Sequence, residues 1–382
     1  MSDLFLGLIS GTSRDGVEAV LATAEGPLGW QVHAHRRHPY PASVVQDLAR
    51  LIADERGPLP VVGQLDAAIG EVFADAALAL LGESGVEPGA VRAIGSHGQT
   101  LYHGPAASPP FSWQIGDPFR IAERTRIDTV ALFRQRDIAA GGEGAPLACA
   151  FHAACFAHPE ISRAVINIGG ISNLTWLRPG QRILGYDCGP GNTLLDAWIR
   201  ELRGLPYDAN GEWAASGEVR YGLLDMLRAD PFFALKPPKT TGPEYFSLRW
   251  LEDRLTTVRD LGHDADIQAT LTEFTASIIA DAVLRERREA EACEVLVCGG
   301  GVRNAELMGR LRQRLGDVRV AATDTLGLPA EQVEAAAFAW LARQTIHARA
   351  GNVPEVTGAA GPRILGCIIP GGRPSSEFTG PE

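Results

Sequence analysis

Apolar residues along this chain fall into short buried-strand runs separated by helical stripes. Leu4 to Ile9 and Val17 to Ala22 have the length and apolar character of buried strands, with the small, polar, glycine-bearing stretch Ser10 to Gly16 between them. The opening therefore reads as a hairpin with a wide tip. Helical stretches follow over 42–55 and 62–82, the second with apolar residues at helical spacing. VRAIGSHGQTLYHG reads as a strand ending in a glycine-rich loop, and FSWQIGDPFRIAERTRIDTVALF as strand, helix and strand. The segment 133–150, FRQRDIAAGGEGAPLACA, is rich in small residues and suits a crossover between domains.

After the crossover, RAVINIGGISNLTWL repeats the opening plan: an apolar run, a small-residue turn at Gly169, Gly170, Ile171 and Ser172, and a second apolar run. RILGYDCGPGNTLLDAWIREL continues as strand, glycine turn and helix. Strand-turn-strand thus leads a unit twice, about 160 residues apart. VLVCGGGVRNAELMGRLRQRL reads as a buried strand, three glycines and an amphipathic helix. Such a turn lets backbone approach a flat ligand such as adenosine and presents a helix N-terminus. Two α/β units facing each other across a central cleft would make a phosphotransferase architecture of the actin and sugar-kinase kind.

Composition narrows the partners. A chain of 382 residues, 45% hydrophobic and 21% charged, can build a large core and two domains. Its net charge of -11 and the lack of any basic run disfavour nucleic acid and anionic membranes. No leader pattern or span-length apolar run is evident, which points to the cytoplasm. Cys149, Cys155, Cys188, Cys293, Cys298 and Cys367 form no Cys-x-x-Cys pair and read as small buried hydrophobes in a reducing compartment. All 35 basic residues are arginine except Lys236 and Lys239 in LKPPKTTG. That pair serves either where a compact ammonium is needed or in a solvated loop.

A phosphoryl-transfer site needs backbone that cradles phosphate, a carboxylate and a positioned acceptor. The loop Ser10 to Gly16 is either a plain turn or an anion cradle, and no Walker lysine follows it. Asp187 in GYDCGPGN ends a strand before a glycine turn, where it is a base or metal-bridging carboxylate, or else a capping aspartate. Asp15 is a second candidate. Gly189, Gly191 and Asn192 either cap a helix or face phosphate. His97 in GSHGQT could ligate metal, act as a base or donate hydrogen bonds, although no second histidine lies at i+4. Arg134, Arg136 and Asp137 either pair with one another or grip a substrate carboxylate. Glu334 opens VEAAAFAWLA and is either exposed or turned inward.

The motifs SGTSRDGVEAVL, GSHGQTLYH, WQIGDP, FRQRDIAAGGEGAPL, INIGGISNLT, GYDCGPGNTLLDAW, PPKTTGPEYF, IQATLTEFTA, CGGGVRNAELM and VEAAAFAWLA, in this order, resemble those of the anhydro-N-acetylmuramic acid kinases from about Leu4 to Gly371. The resemblance implies a two-domain actin-like, ribonuclease H-like ATPase fold with duplicated mixed sheets. It implies a cytoplasmic homodimer that uses ATP and Mg²⁺ to open the 1,6-anhydro ring of anhydro-N-acetylmuramic acid and phosphorylate O6, in peptidoglycan recycling. Asp187 matches the catalytic aspartate. Gly11, Thr12, Ser13, Arg14, Asp15, Gly16 and Glu18 match the first phosphate loop, and Gly189, Gly191 and Asn192 the second phosphate contact. Gly299, Gly300, Gly301 and Asn304 would flank adenosine, and Lys239 lies in a loop that is lysine-bearing across the family and is placed on the nucleotide side. His97, Thr100, Arg134 and Glu334 match the sugar pocket. No protein metal ligand is assigned, Mg²⁺ arriving through ATP phosphates and waters.

On this reading residues 1–132 form an N-terminal α/β domain with the first phosphate loop and part of the sugar site. Residues 133–350 form a second with the catalytic aspartate, second phosphate loop and adenosine site. Residues 351–382 return to the first and end in a disordered tail. The chain departs from the family pattern at Arg14, Glu18, Leu132, Glu143, Cys188 and Pro243. Glu18 lengthens an arm that is usually aspartate, and Cys188 replaces a threonine hydroxyl beside the base. These departures leave open a kinase for another anhydro-sugar such as levoglucosan, or a non-catalytic sugar and ATP sensor.

Overall fold

A computed structural model describes residues 3–11, 14–54 and 57–372. Thr12 and Ser13 of the first loop lie outside the described residues, as does the tail from Arg373 that was expected to be disordered. The strands are β1 (Leu4–Ser10), β2 (Gly16–Thr23), β3 (Gln31–Pro39), β4 (Val91–Gly104), β5 (Phe111–Ile115), β6 (Thr129–Ala131), β7 (Ser162–Ile168), β8 (Ile171–Leu177), β9 (Leu184–Pro190), β10 (Cys293–Cys298), β11 (Arg319–Ala322) and β12 (Cys367–Ile369). By packing, the chain divides into one unit of residues 1–151 with 334–382 and another of residues 152–333.

The first unit's sheet runs β12-β6-β4-β1-β2-β3, with β5 hydrogen-bonded to β4. β1 pairs antiparallel with β2 and β2 with β3, whereas β4 lies parallel to β1 and β6 parallel to β4. The second unit's sheet runs β11-β10-β7-β8-β9 with the same senses: β7, β8 and β9 antiparallel, β10 parallel to β7 and β11 parallel to β10. The duplication inferred from two strand-turn-strand openings therefore extends to a five-strand core, to which the first unit adds β5 and β12. Helices form where expected, over Ala42–Asp54 and Leu59–Ser84.

β4 does not end in a loop at its glycines but continues to Gly104. Gly98, at φ +74, lets the strand kink where its pairing passes from β1 to β5, and a Cβ there would lie 2.6 Å from the Ile115 carbonyl oxygen. The small-residue stretch after Leu132 holds two helices, Phe133–Ala139 and Ala148–Phe156. In the first unit, helix Val333–Ile346 lies directly against the sheet because Gly7 and Gly95 have no side chain. A Cβ would fall 1.9 Å from Ala335 O at Gly7 and 2.0 Å from Phe338 O at Gly95.

The second unit packs around helix Asp264–Glu286, whose residues from Ile267 to Val283 are mostly buried in a core with Trp176, Tyr186, Phe246 and Trp250. It is the one helix among the described residues long and apolar enough to cross a membrane, and most of it is inside the unit. Cys149, Cys155, Cys188 and Cys298 are buried, Cys293 half-buried and Cys367 exposed.

Candidate active site

In the second unit, Asp187 lies within β9, which runs on to Pro190, with Asn173 of β8 opposite it. Strand alternation sends Tyr186 and Cys188 to one face and Asp187 to the other. Tyr186 and Cys188 are buried, whereas Asp187 is partly exposed. The loop PPKTTG runs alongside: the Asp187 N–H donates to Lys239 O at 3.1 Å, and the Thr241 N–H donates to Asp187 Oδ2 at 2.9 Å. One carboxylate oxygen is thus oriented by a backbone donor, which fixes the direction of the other.

That loop is anchored by a residue the sequence reading missed. Asp230 is buried and accepts from the Phe232 N–H, Tyr245 O–H, Trp250 Nε1–H and Arg254. The Asp-Pro step after a helix was its only signal. Lys239, expected on the nucleotide side, is buried with its ammonium donating to Phe232 O at 3.3 Å and lying 4.3 Å from the Phe232 ring centroid. With Tyr186, Cys188 and Arg285 it lines a cavity of about 80 Å³, so its ammonium lies on the Cys188 face of β9. Burial lowers the Lys239 pKa and raises that of the Cys188 thiol, with the Asp187 charge adding to the latter.

The glycine turn after Asp187 is a fastening. The N–H groups of Gly191 and Asn192 donate at 2.8 Å to Gly170 O and Gly169 O, Thr193 N–H donates to Gly170 O, and Asn192 Nδ2 reaches Gly169 O. A Cβ on Gly191 would lie 2.4 Å from Gly169 O, and one on Gly189 2.7 Å from Ile278. These contacts tie helix Thr193–Arg203 to the β7–β8 turn. By sheet position, the Gly169–Gly170 turn is the counterpart of the β1–β2 loop.

At the end of β10, Gly299 (φ +83) and Gly301 pack on β7, and their Cβ atoms would meet Asn167 Oδ1 and Ile168 Cγ2 at 2.3 Å. Gly300 faces open space. Asn304 caps helix Ala305–Leu315, its Oδ1 accepting from Leu307 N–H at 2.9 Å.

In the first unit, Gly11 O accepts from Arg14 N–H at 3.3 Å, and Gln99 Nε2 reaches it at 3.5 Å. Arg14 is left-handed at φ +56. Gly16 is required because a Cβ would lie 2.4 Å from His38 O. Asp15 pairs with Arg37, and Glu18 with His35 at 2.6 Å and with Arg37 at 3.5 Å. Among the described residues no group of three His, Cys, Asp or Glu side chains could hold a metal ion.

His97 and Arg134 come together in this unit, while Thr100 lies farther along β4 against Gln114. Arg134 donates from Nε and Nη2 to His97 Nε2 at 3.1 and 3.0 Å, and from Nη1 to Gly144 O at 2.9 Å. Arginine only donates, so His97 Nε2 is the acceptor and Nδ1–H donates to Gly98 O at 3.0 Å. Burial first, then the Arg134 charge, hold the His97 pKa well below its ordinary value, so the ring is neutral. It packs 4.6 Å from the Phe338 ring. Thr100 Oγ1 accepts from Gln114 Nε2 at 3.2 Å. Glu334, in the first turn of helix Val333–Ile346, is half-buried.

His97 opens onto a cavity of about 240 Å³ whose walls include Ser96, Trp113, Gln114 and Gln135. Ser96 Oγ and Gln135 Oε1 are buried there without a hydrogen-bond partner among the described residues. A half-open site with unspent polar groups and one aromatic wall suits a small polar ring. Ser96 and Gln135 flank His97 and Arg134 in sequence, whereas Gln114 is placed by the β4–β5 pairing, opposite Thr100, and Gln135 Nε2 reaches its Oε1 at 3.4 Å.

Two sheets sharing a five-strand core of the same order and sense, a turn at each first hairpin, and a strand carboxylate in the second unit match the duplicated α/β fold of actin-like ATPases and sugar kinases. The family model for anhydro-N-acetylmuramic acid kinase matches residues 3–371. A protein named anhydro-N-acetylmuramic acid kinase from Xanthomonas campestris pv. campestris (strain 8004) is 48% identical over 378 residues, covering 97% of this chain and 98% of that protein. One of the same name from Ralstonia nicotianae is 46% identical over 377 residues, with 97% and 98% covered. The chain belongs to the anhydro-N-acetylmuramic acid kinase family. Among solved structures it is similar to the activator of the 2-hydroxyisocaproyl-CoA dehydratase from Clostridium difficile with bound ADPNP, at 13% identity and TM-score 0.44, covering 87% of this chain and 91% of that one.

Proposed function

We propose that this enzyme uses ATP to open the 1,6-anhydro ring of anhydro-N-acetylmuramic acid, giving N-acetylmuramic acid 6-phosphate and ADP, in peptidoglycan recycling. The family match over residues 3–371 carries this reading. Asp187 is the base: it takes a proton from water as the water oxygen bonds to the anomeric carbon and the C1–O6 bond breaks. O6 bonds to the γ-phosphorus as the bond to the ADP oxygen breaks. An ordinary glycosidase protonates its leaving oxygen with a second carboxyl group. Here capture by phosphorus replaces that proton, which accounts for a mechanism with one carboxylate.

The second unit would contribute Asp187, the turns at Gly169–Gly170 and Gly189–Asn192, and the adenosine site at Gly299–Gly301 with Asn304. The first would contribute Gly11–Gly16, with Thr12 and Ser13, and the sugar pocket of His97, Thr100, Arg134 and Glu334. Arg134 would carry the positive charge for the sugar's lactyl carboxylate. Lys239 would act from behind β9. Mg²⁺ would be held by the ATP phosphates and water, where it would supply charge neutralisation. The protein would work in the cytoplasm as a homodimer.

The test is ADP release with ATP, Mg²⁺ and anhydro-N-acetylmuramic acid, levoglucosan serving as comparison. The expected result is turnover of the muramic sugar that falls by about 10²–10⁴-fold in Asp187→Asn. Nucleotide binding without turnover of either sugar would replace the enzyme with a sensor.

A further inference from the structure

The loop that carries Arg134 is built around a carboxylate with no part in the chemistry above. Asp137 is fully buried in the first unit. Its Oδ2 accepts from Gly144 N–H at 2.9 Å, and its Oδ1 accepts from Asn352 Nδ2 at 2.7 Å and Thr357 Oγ1 at 2.8 Å. Its carbonyl accepts from Gly142 N–H at 3.0 Å, and a Cβ on Gly142 would lie 2.2 Å from Oδ2. The loop 140–144 is wrapped closely around this side chain. Glu143 N–H also donates to Thr357 O at 2.7 Å, so the segment 352–357 clamps the same loop.

Gly144 joins this network to the pocket. Its N–H is given to Asp137, its φ is +72, and its carbonyl accepts from Arg134 Nη1. Holding the N–H at that φ fixes where the Gly144 carbonyl carbon sits, and the carbonyl with His97 Nε2 fixes the guanidinium plane. A buried carboxylate held by neutral donors is a costly device where an apolar contact would fill the space. Its return is a defined position for the Gly144 carbonyl.

We propose that Asp137 is a positioning residue for the sugar site, orienting Arg134 through Gly144 from an anchor in the 352–357 segment. This rests on the reading of Arg134 as a sugar-site residue.

The test uses the full chain with Asp137→Asn, Thr357→Val, Arg134→Ala and the double variant Asp137→Asn/Arg134→Ala. Asp137→Asn keeps the shape and sets an amide N–H₂ against donors. Thr357→Val removes one donor to Oδ1 and covers the case in which Asp137→Asn does not fold. The expected result is a KM for the anhydro-sugar raised about tenfold in Asp137→Asn, and less in Thr357→Val, with the KM for ATP held within about twofold. In the Arg134→Ala background the Asp137 substitution should add almost nothing. The ¹⁵N imidazole resonance of His97 Nε2 should move in Asp137→Asn toward its position in Arg134→Ala. Full additivity, equal rises in both KM values, or an unmoved His97 signal would each overturn the proposal. If the unmodified chain turns over no anhydro-sugar, the functional reading falls while the His97 signal still decides the coupling.

Discussion

Asp187 and Lys239 are joined by one backbone hydrogen bond, yet their side chains lie on opposite faces of β9 and have opposite surroundings. The carboxylate is oriented by Thr241 N–H, while the ammonium is buried against Phe232. The same contrast of burial governs the histidines. His152 is fully buried with Nδ1 2.8 Å from Thr175 Oγ1, and desolvation pushes its pKa down to about 3; His103 is pushed down to about 4. In the unfolded chain both titrate near 6.5. Between those values the unfolded state takes up protons that the fold refuses. Stability is therefore full above about pH 6.5 and declines as pH falls toward 4 and 3. Urea midpoints should hold from pH 7.5 to about 6.5 and fall from there to pH 5, and His152→Gln should flatten that lower slope by about one proton. A midpoint independent of pH would show that neither ring is held neutral.

At the scale of elements, the seating of helix Val333–Ile346 on β1 and β4 depends on two missing methyl groups. Gly7 and Gly95 are legible in the sequence only as weak points in strands, and nothing local tells that a helix from the far end of the chain lies over them. Gly95→Ala would drive a Cβ into Phe338 O and lift the helix, at a cost of about 2–3 kcal/mol. Because Phe338 packs on His97 and Glu334 opens the same helix, the sugar KM should rise along with the loss of stability. Chemical denaturation of Gly95→Ala and Gly7→Ala reads the first effect, and an unchanged midpoint would mean the helix has room to spare. β4 shows the converse. Its glycines suggested a loop, but pairing with β5 supplied the hydrogen bonds that kept it a strand past Gly98.

For the whole molecule, the duplicated sheet is the organising fact, and it makes each first hairpin turn a phosphate-binding candidate. A nucleotide bound only by the folded state should stabilise it in proportion to occupancy. A non-hydrolysable ATP analogue at about 100 times its Kd should add about 2.7 kcal/mol and raise Tm, and Gly301→Ala, whose Cβ would strike Ile168, should reduce that gain. Equal Tm with and without the analogue would argue against nucleotide binding.

The sequence by itself determined the α/β alternation, the repeated strand-turn-strand plan and the position of Asp187 on a strand before a glycine turn. Periodicity and punctuation are local, so a linear reading captures them. It also brought out the ordered motifs by which the family is recognised. Only the tertiary structure decided which face of β9 Lys239 occupies, that Gly191 and Asn192 give their N–H groups to Gly170 and Gly169, and that Asp230 and Asp137 each brace a loop within their own unit. Asp137 meets Asn352 and Thr357 across more than two hundred residues. Partners at that separation are chosen by sheet order and burial, which no local window of the chain contains.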